Sequence, residues 1–144
     1  MRISTRGRYA LRVMTDLAEQ SAGRYIPLKE VSARQGISQK YLEGIMAGLS
    51  RAGMVEGAHG KGGGYRLSKG PDQYRVGDIL RLTEGSLAPV ACLECGAKPC
   101  ARAESCRTLP MWSRLDRDIN QLFDSYTLAD LMAKPSAPSG EETT

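Results

Sequence analysis

Cys92, Cys95, Cys100 and Cys106 are all the cysteines of the chain, and they follow the spacing C-x2-C-x4-C-x5-C. Thiolates are soft, charged donors, so four of them on one short segment could ligate zinc or an iron-sulfur cluster. Zinc sites usually show two tight CxxC pairs, and here Cys92 and Cys95 form one such pair. The spacing therefore points to metal without choosing which. Two readings compete: buried thiols without a ligand, or redox-active thiols that pair under oxidative stress. Lys98, Arg102 and Arg107 place positive charge nearby, which favours thiolate in either case. Catalysis finds no support, because the single histidine, His59, is remote in sequence and no Ser/His/Asp, Cys/His or paired-carboxylate set can be built.

A second constellation lies in the first half of the chain. Residues 1–75 carry 13 basic and 6 acidic side chains, net +7, whereas residues 76–144 carry 7 basic and 10 acidic, net −3. The first half is thus the candidate anion binder. Ser38, Gln39, Lys40, Tyr41 and Glu43 offer hydroxyl, amide, ammonium and carboxylate groups at the start of a helical pattern, the chemistry that reads base edges and holds phosphate. A carboxylate is unfavourable near phosphate, which makes Glu43 a discriminator rather than a source of affinity. His59, Gly60, Lys61 and Gly62 form a basic, glycine-rich stretch suited to close approach to a minor groove. It matches neither GxxxxGK[ST] nor GxGxxG, so it is not read as a nucleotide loop. Arg2, Arg6, Arg8 and Arg12 are further candidates for phosphate contacts.

The elements that must position these groups follow from periodicity. Ala10, Val13, Met14, Leu17 and Ala18 recur at helical spacing, predicting a helix from about Arg6 to Gln20 with Ser4 or Thr5 as cap. A second helix is expected from Pro27, at its first position, to Gly36. Ser38 can cap a third, with Leu42, Ile45, Met46 and Leu49 on one face and Gly53 past its end. Two helices across Gly36-Ile37-Ser38 make a helix-turn-helix. Short strands at Met54-Val55-Glu56 and Tyr65-Arg66-Leu67 then flank an eight-residue tip, residues 57–64, and complete a winged helix.

Val76, Ile79 and Leu80 predict a brief helix ending near Glu84. Residues 85–106 have no periodicity, and an aperiodic stretch that long is usually functional or disordered. Trp112, Leu115, Ile119 and Leu122 step by 3, 4 and 3 as a seam facing a partner, with Arg114 and Asp118 paired on another face. The fold class is mainly α with a small two-stranded β wing, a winged helix-turn-helix plus a long C-terminal dimerisation helix. The expected units are a DNA-binding domain at 1–84, a cysteine-rich cofactor loop at 85–109, a dimerisation helix and short C-terminal helix at 110–133, and a disordered tail at 134–144. No apolar run approaches the roughly 20 residues of a membrane span, and the opening lacks a signal-peptide core, so a cytoplasmic protein is expected.

The opening Met1-Arg2-Ile3-Ser4-Thr5-Arg6-Gly7-Arg8-Tyr9-Ala10 resembles a known family, as do Arg34-Gln35-Gly36-Ile37-Ser38 with Tyr41-Leu42-Glu43, Gly62-Gly63-Gly64-Tyr65 and the cysteine loop before Trp112. That family is the IscR-like winged-helix repressors, which include iron-sulfur assembly, nitric-oxide-sensing and cysteine-metabolism regulators. The resemblance implies a homodimer joined through the C-terminal helix and DNA contacts from residues 38–43 and the wing. It also implies an iron-sulfur cluster, 2Fe-2S or 4Fe-4S, held by Cys92, Cys100 and Cys106. The fourth ligand stays open among Cys95, a group from a partner chain and a small molecule. Iron-sulfur assembly regulators of the family often have His where this chain has Leu109, some relatives have an acid where it has Arg8, and family wings often have Arg where it has His59. The expected function is a dimeric regulator that binds a double-stranded, pseudo-palindromic operator and senses cluster, redox or nitric oxide status. Alternatives are a zinc or thiol switch, zinc standing second to the cluster, and control by a protein partner of cysteine metabolism.

Overall fold

The structure is a computed structural model that describes residues 2–20 and 23–132. The expected tail lies outside these residues. The first helix, α1 (Thr5–Gln20), buries Ala10, Val13, Met14 and Leu17 completely and forms the central strut of the core. Its first turn is closed by Ser4, whose hydroxyl accepts from the Gly7 N–H at 3.0 Å. Ser4 is itself gripped by Glu84, which accepts from the Ser4 N–H at 3.0 Å and from its hydroxyl at 2.6 Å. The start of α1 is thus fastened to the end of α4 (Val76–Glu84).

Helix α2 (Leu28–Gln35) begins one residue later than expected, because Pro27 keeps an extended backbone and serves as the cap. It ends at Gly36, whose φ of 66° is the left-handed conformation that glycine adopts without steric cost. Ser38 then caps α3 (Gln39–Arg51) by accepting from the Tyr41 N–H at 3.1 Å. Leu42, Ile45, Met46 and Leu49 all turn inward, so the opposite face of α3 is left to solvent.

Strands β1 (Val55–Ala58) and β2 (Gly64–Leu67) pair antiparallel from Val55↔Leu67 to Ala58↔Gly64. The ladder runs further than expected, so the tip is residues 59–63 rather than 57–64. Ile26 and Tyr65 exchange backbone hydrogen bonds at 2.8 and 2.9 Å, adding a bridge from the α1–α2 connection to β2. Gly64 permits this close approach: a Cβ there would run into the Ile26 carbonyl. The base of the wing is tied by Tyr74, buried, whose hydroxyl donates to Met54 O at 2.6 Å and accepts from Ser68 N–H at 2.9 Å and Lys69 N–H at 3.2 Å.

Helix α5 (Leu109–Asp124) corrects the seam expected from sequence. Ile119 and Phe123 pack onto Val76, Leu80 and Leu87 within the same chain. Met111, Leu115 and Leu122 instead form an exposed stripe, with 55%, 38% and 56% of their surface open. Arg81 joins α4 to α5: it donates to Asn120 Oδ1 at 2.7 Å and pairs with Asp124, and it reaches Asp78 at 3.1 Å. The Arg114–Asp118 pair forms at 3.7 Å on the exposed side. Helix α6 (Leu128–Leu131), capped by Thr127, returns Leu128 to the main core.

Candidate nucleic-acid interface and cysteine loop

Inward burial of four apolar side chains dictates which α3 groups face out. Ser38, Gln39, Lys40 and Glu43 are exposed, and Tyr41 keeps 40% of its surface open. Glu43 and Ser50 on α3 share a cleft of about 440 Å³ with Gly57, Ala58 and His59 of the wing. The expected reading helix and wing therefore converge on one concave surface. Gly60, Lys61 and Gly62 occupy the exposed tip, where Gly60 and Gly62 have φ of 84° and 80°. Arg2 lies apart from α3, bordering a depression formed by Ile3, Glu84, Ser86, Leu87 and Ala88 at the start of the cysteine loop.

The α1 arginines divide into different roles. Arg12, expected at phosphate, is exposed, and its guanidinium also braces the end of α2 against α1. Its Nε donates to Gln35 Oε1 at 3.1 Å, its Nη2 bonds the Gln35 carbonyl, and it stacks 5.2 Å from the Tyr9 ring centre. Tyr9 in turn meets Tyr41 edge to face at 5.6 Å. This chain of contacts sets the first turn of α3 against α1. Arg8 donates to Thr5 Oγ1 at 3.3 Å, and Arg6 to the Gly44 carbonyl at 3.1 Å.

Sequence reasoning missed the polar group that holds α2 in place. Asp16 is 3% exposed and accepts from Arg34 at 2.8, 3.0 and 3.3 Å and from Gln35 Nε2 at 2.8 Å. The hydrogen bond to Asp16 raises the Arg34 pKa above its ordinary value. The available signal was an acid three residues after Val13, beside the apolar stripe of α1, which an exposed helix face would equally contain. Tyr74 had no sequence signal.

Residues 85–108 form a loop with a single short 3₁₀ turn, Ala91–Leu93. Leu87 anchors its start in the α4–α5 cluster. Cys92, Cys95 and Cys100 are exposed, Cys106 is half-buried, and all four are free thiols. Cys106 Sγ shares a 3.4 Å hydrogen bond with Thr108 Oγ1 immediately before α5. That bond, then the backbone N–H groups of Thr108 and Leu109 and the charge of Arg102, hold the Cys106 pKa below the usual thiol value. Among the described residues no three His, Cys, Asp or Glu side chains converge as a metal site. The donor set suits a thiophilic centre, since soft thiols sit on a loop with few backbone restraints. Their placement is that of an open loop, and His59 stays with the wing.

A helix-turn-helix with an exposed second helix, followed by a hairpin that shares a cleft with it, defines a winged-helix DNA-binding protein. The family described as Rrf2, iron-dependent transcriptional regulator, matches residues 3–134, and the chain belongs to it. Among curated relatives, the HTH-type transcriptional regulator IscR of Aliivibrio salmonicida is 36% identical over 132 residues, covering 92% of this chain and 77% of that protein. Protein rrf2 of Nitratidesulfovibrio vulgaris is 35% identical over 137 residues, covering 94% and 90%. The solved structure of CymR (YrzC), the global cysteine regulator of B. subtilis, superposes with a TM-score of 0.75 at 33% identity, covering 92% and 96%. That of T. potens IscR gives 0.72 at 34% identity, covering 92% and 86%. The chain is accordingly a DNA-binding transcriptional regulator and not an enzyme. Among the described residues no helix is long and apolar enough to cross a membrane.

Proposed function

We propose that this chain acts as a cytoplasmic homodimeric repressor whose affinity for duplex operator DNA is set by a cysteine-ligated iron-sulfur cluster. Ser38, Gln39, Lys40, Tyr41 and Glu43 read the major groove. His59, Gly60, Lys61 and Gly62 follow the backbone or the adjacent minor groove. Cys92, Cys100 and Cys106 supply the thiolates, with Cys95 as candidate fourth ligand. The exposed stripe Met111, Leu115 and Leu122 on α5 is the surface for the second copy. Operator half-sites then lie about 34 Å or a multiple apart, so a small change in dimer geometry selects between operators.

The observation that carries this reading is the position of the four free thiols. They occupy the one long connection between α4, which Glu84 and Arg81 bolt to α1 and α5, and the helix bearing the exposed stripe. Bound there, a cluster would supply metal–thiolate bonds that fix the loop. The chain's own residues carry the effect onward through Leu87, Arg81 and Glu84. The test is anaerobic purification followed by absorbance, iron and sulfide analysis of parent and Cys92→Ala, Cys95→Ala, Cys100→Ala and Cys106→Ala proteins. Retention of iron and sulfide by the parent, lost on replacing Cys92, Cys100 or Cys106, supports the reading; colourless, iron-free parent protein that binds DNA normally overturns it. The contact of Cys106 with Thr108 favours a thiol switch as the second reading, and the iron-free outcome would select it.

A further inference from the structure

The wing flanks α3 on the side of Glu43 and Ser50; the opposite flank carries Gly44, Gly48 and Arg51. There Arg6, reaching across from α1, and Arg51 converge over Gly48. A Cβ at Gly48 would lie 3.7 Å from Arg6 Nη2 and 4.0 Å from Arg51 Nη2. The two guanidiniums border a cavity of about 320 Å³ with Leu49, Ala52, Leu82 and Thr83. Neither has a carboxylate in salt-bridge range among the described residues, so both charges are available to an external anion. Two guanidiniums bordering one cavity offer an incoming anion two planar forks of N–H donors.

From this we infer that Arg6 and Arg51 form a phosphate site that grips the DNA backbone along the edge of the groove entered by α3, opposite the wing. A Cβ at position 48 would touch both guanidiniums at ordinary contact distance, so glycine there leaves space that a longer side chain would crowd. Arg6 is pre-set by its bond to the Gly44 carbonyl, so little side-chain freedom is lost when phosphate arrives. The wing and the arginine pair then bracket α3, one on each side, and together fix its depth and tilt in the groove. The inference rests on the DNA-binding reading above, keeps the sequence expectation for Arg6 and adds Arg51 as its partner in one site.

The test measures binding of the whole protein, as salt is raised, to a duplex selected by the parent from random sequence and to a scrambled duplex. Arg6→Gln and Arg51→Gln should each flatten the slope of log affinity against log salt by roughly one unit per half-site. Both should weaken binding to the two duplexes by the same factor. Arg51→Lys should restore the slope. Gly48→Glu, which places a carboxylate between the guanidiniums, should weaken both duplexes without lowering the melting temperature. An unchanged slope in Arg6→Gln and Arg51→Gln, with the parent binding normally, overturns the site alone. Pyrophosphate that protects the parent but not Arg51→Gln from heat, with slopes unchanged, would assign the site to free phosphate and overturn the backbone assignment. A parent that enriches no duplex from random sequence and binds the scrambled one no better overturns the DNA reading and this site with it.

Discussion

Replacing either member of the Asp16–Arg34 pair tests whether α2 is held by a buried charge or merely by its apolar face. Asp16 is 3% exposed, whereas Arg34 is one-third exposed and has a second acid, Glu30, at 3.6 Å. Arg34→Met leaves the carboxylate buried with Gln35 as its remaining donor. Breaking a fully buried pair costs about 3–5 kcal/mol, and the open side of this one reduces that to about 2–3 kcal/mol. Asp16→Asn keeps an oxygen acceptor and frees an arginine that solvent and Glu30 can satisfy, so the loss should be about 1 kcal/mol. At roughly 3 °C per kcal/mol for a chain of this size, melting temperatures should fall by roughly 6–9 °C and 3 °C. Urea denaturation of metal-free protein, with an unchanged slope m, gives the same ranking independently. An Asp16→Asn loss equal to or larger than that of Arg34→Met would refute the reasoning, because the asymmetry follows from which partner is buried.

Tyr74→Phe should lower stability by about 1–2 kcal/mol, since it removes the hydroxyl shared by Met54 O and the Ser68 and Lys69 amides, while Ser68 N–H keeps its 3.4 Å bond to Met54 O; faster hydrogen exchange at Lys69 checks the cause. Leu115→Glu together with Leu122→Glu places charge on the exposed stripe of α5 and should convert a dimer to monomer in sedimentation without unfolding it. Thr108→Val removes the hydrogen bond that favours the Cys106 thiolate. Alkylation of Cys106 in metal-free protein should therefore rise with pH at a higher midpoint in the variant than in the parent.

The helices of the DNA-binding half were legible because local signals and tertiary burial agreed. Leu42, Ile45, Met46 and Leu49 are both periodic in sequence and buried in the structure, and Ser38 and Gly36 stand at the boundaries their chemistry favours. The seam of α5 was only half legible. Periodicity says that one stripe is apolar but not which neighbour covers it; Ile119 turned to Leu80 and Val76 while Leu115 and Leu122 stayed exposed. The strands outran their β-formers for a related reason, since Gly57 and Gly64 are poor strand residues in isolation but Gly64 is required beside Ile26. Asp16, Tyr74 and the bracing role of Arg12 were missed because their partners lie elsewhere in the chain, at Arg34, Met54 and Gln35. Spacing identified the thiols as a donor set, but it carries no information on how an aperiodic loop disposes them.

The central claim, that a cysteine-bound cluster governs the grip on operator DNA, is tested most directly by anaerobic titration of one selected duplex with loaded protein, with the same preparation after chelation, and with Cys92→Ala. A coupling of about 1–3 kcal/mol predicts affinities at least roughly fivefold apart for the first two, with Cys92→Ala behaving as the chelated form. Three coincident binding curves, with the same order of preference among duplexes, would contradict it.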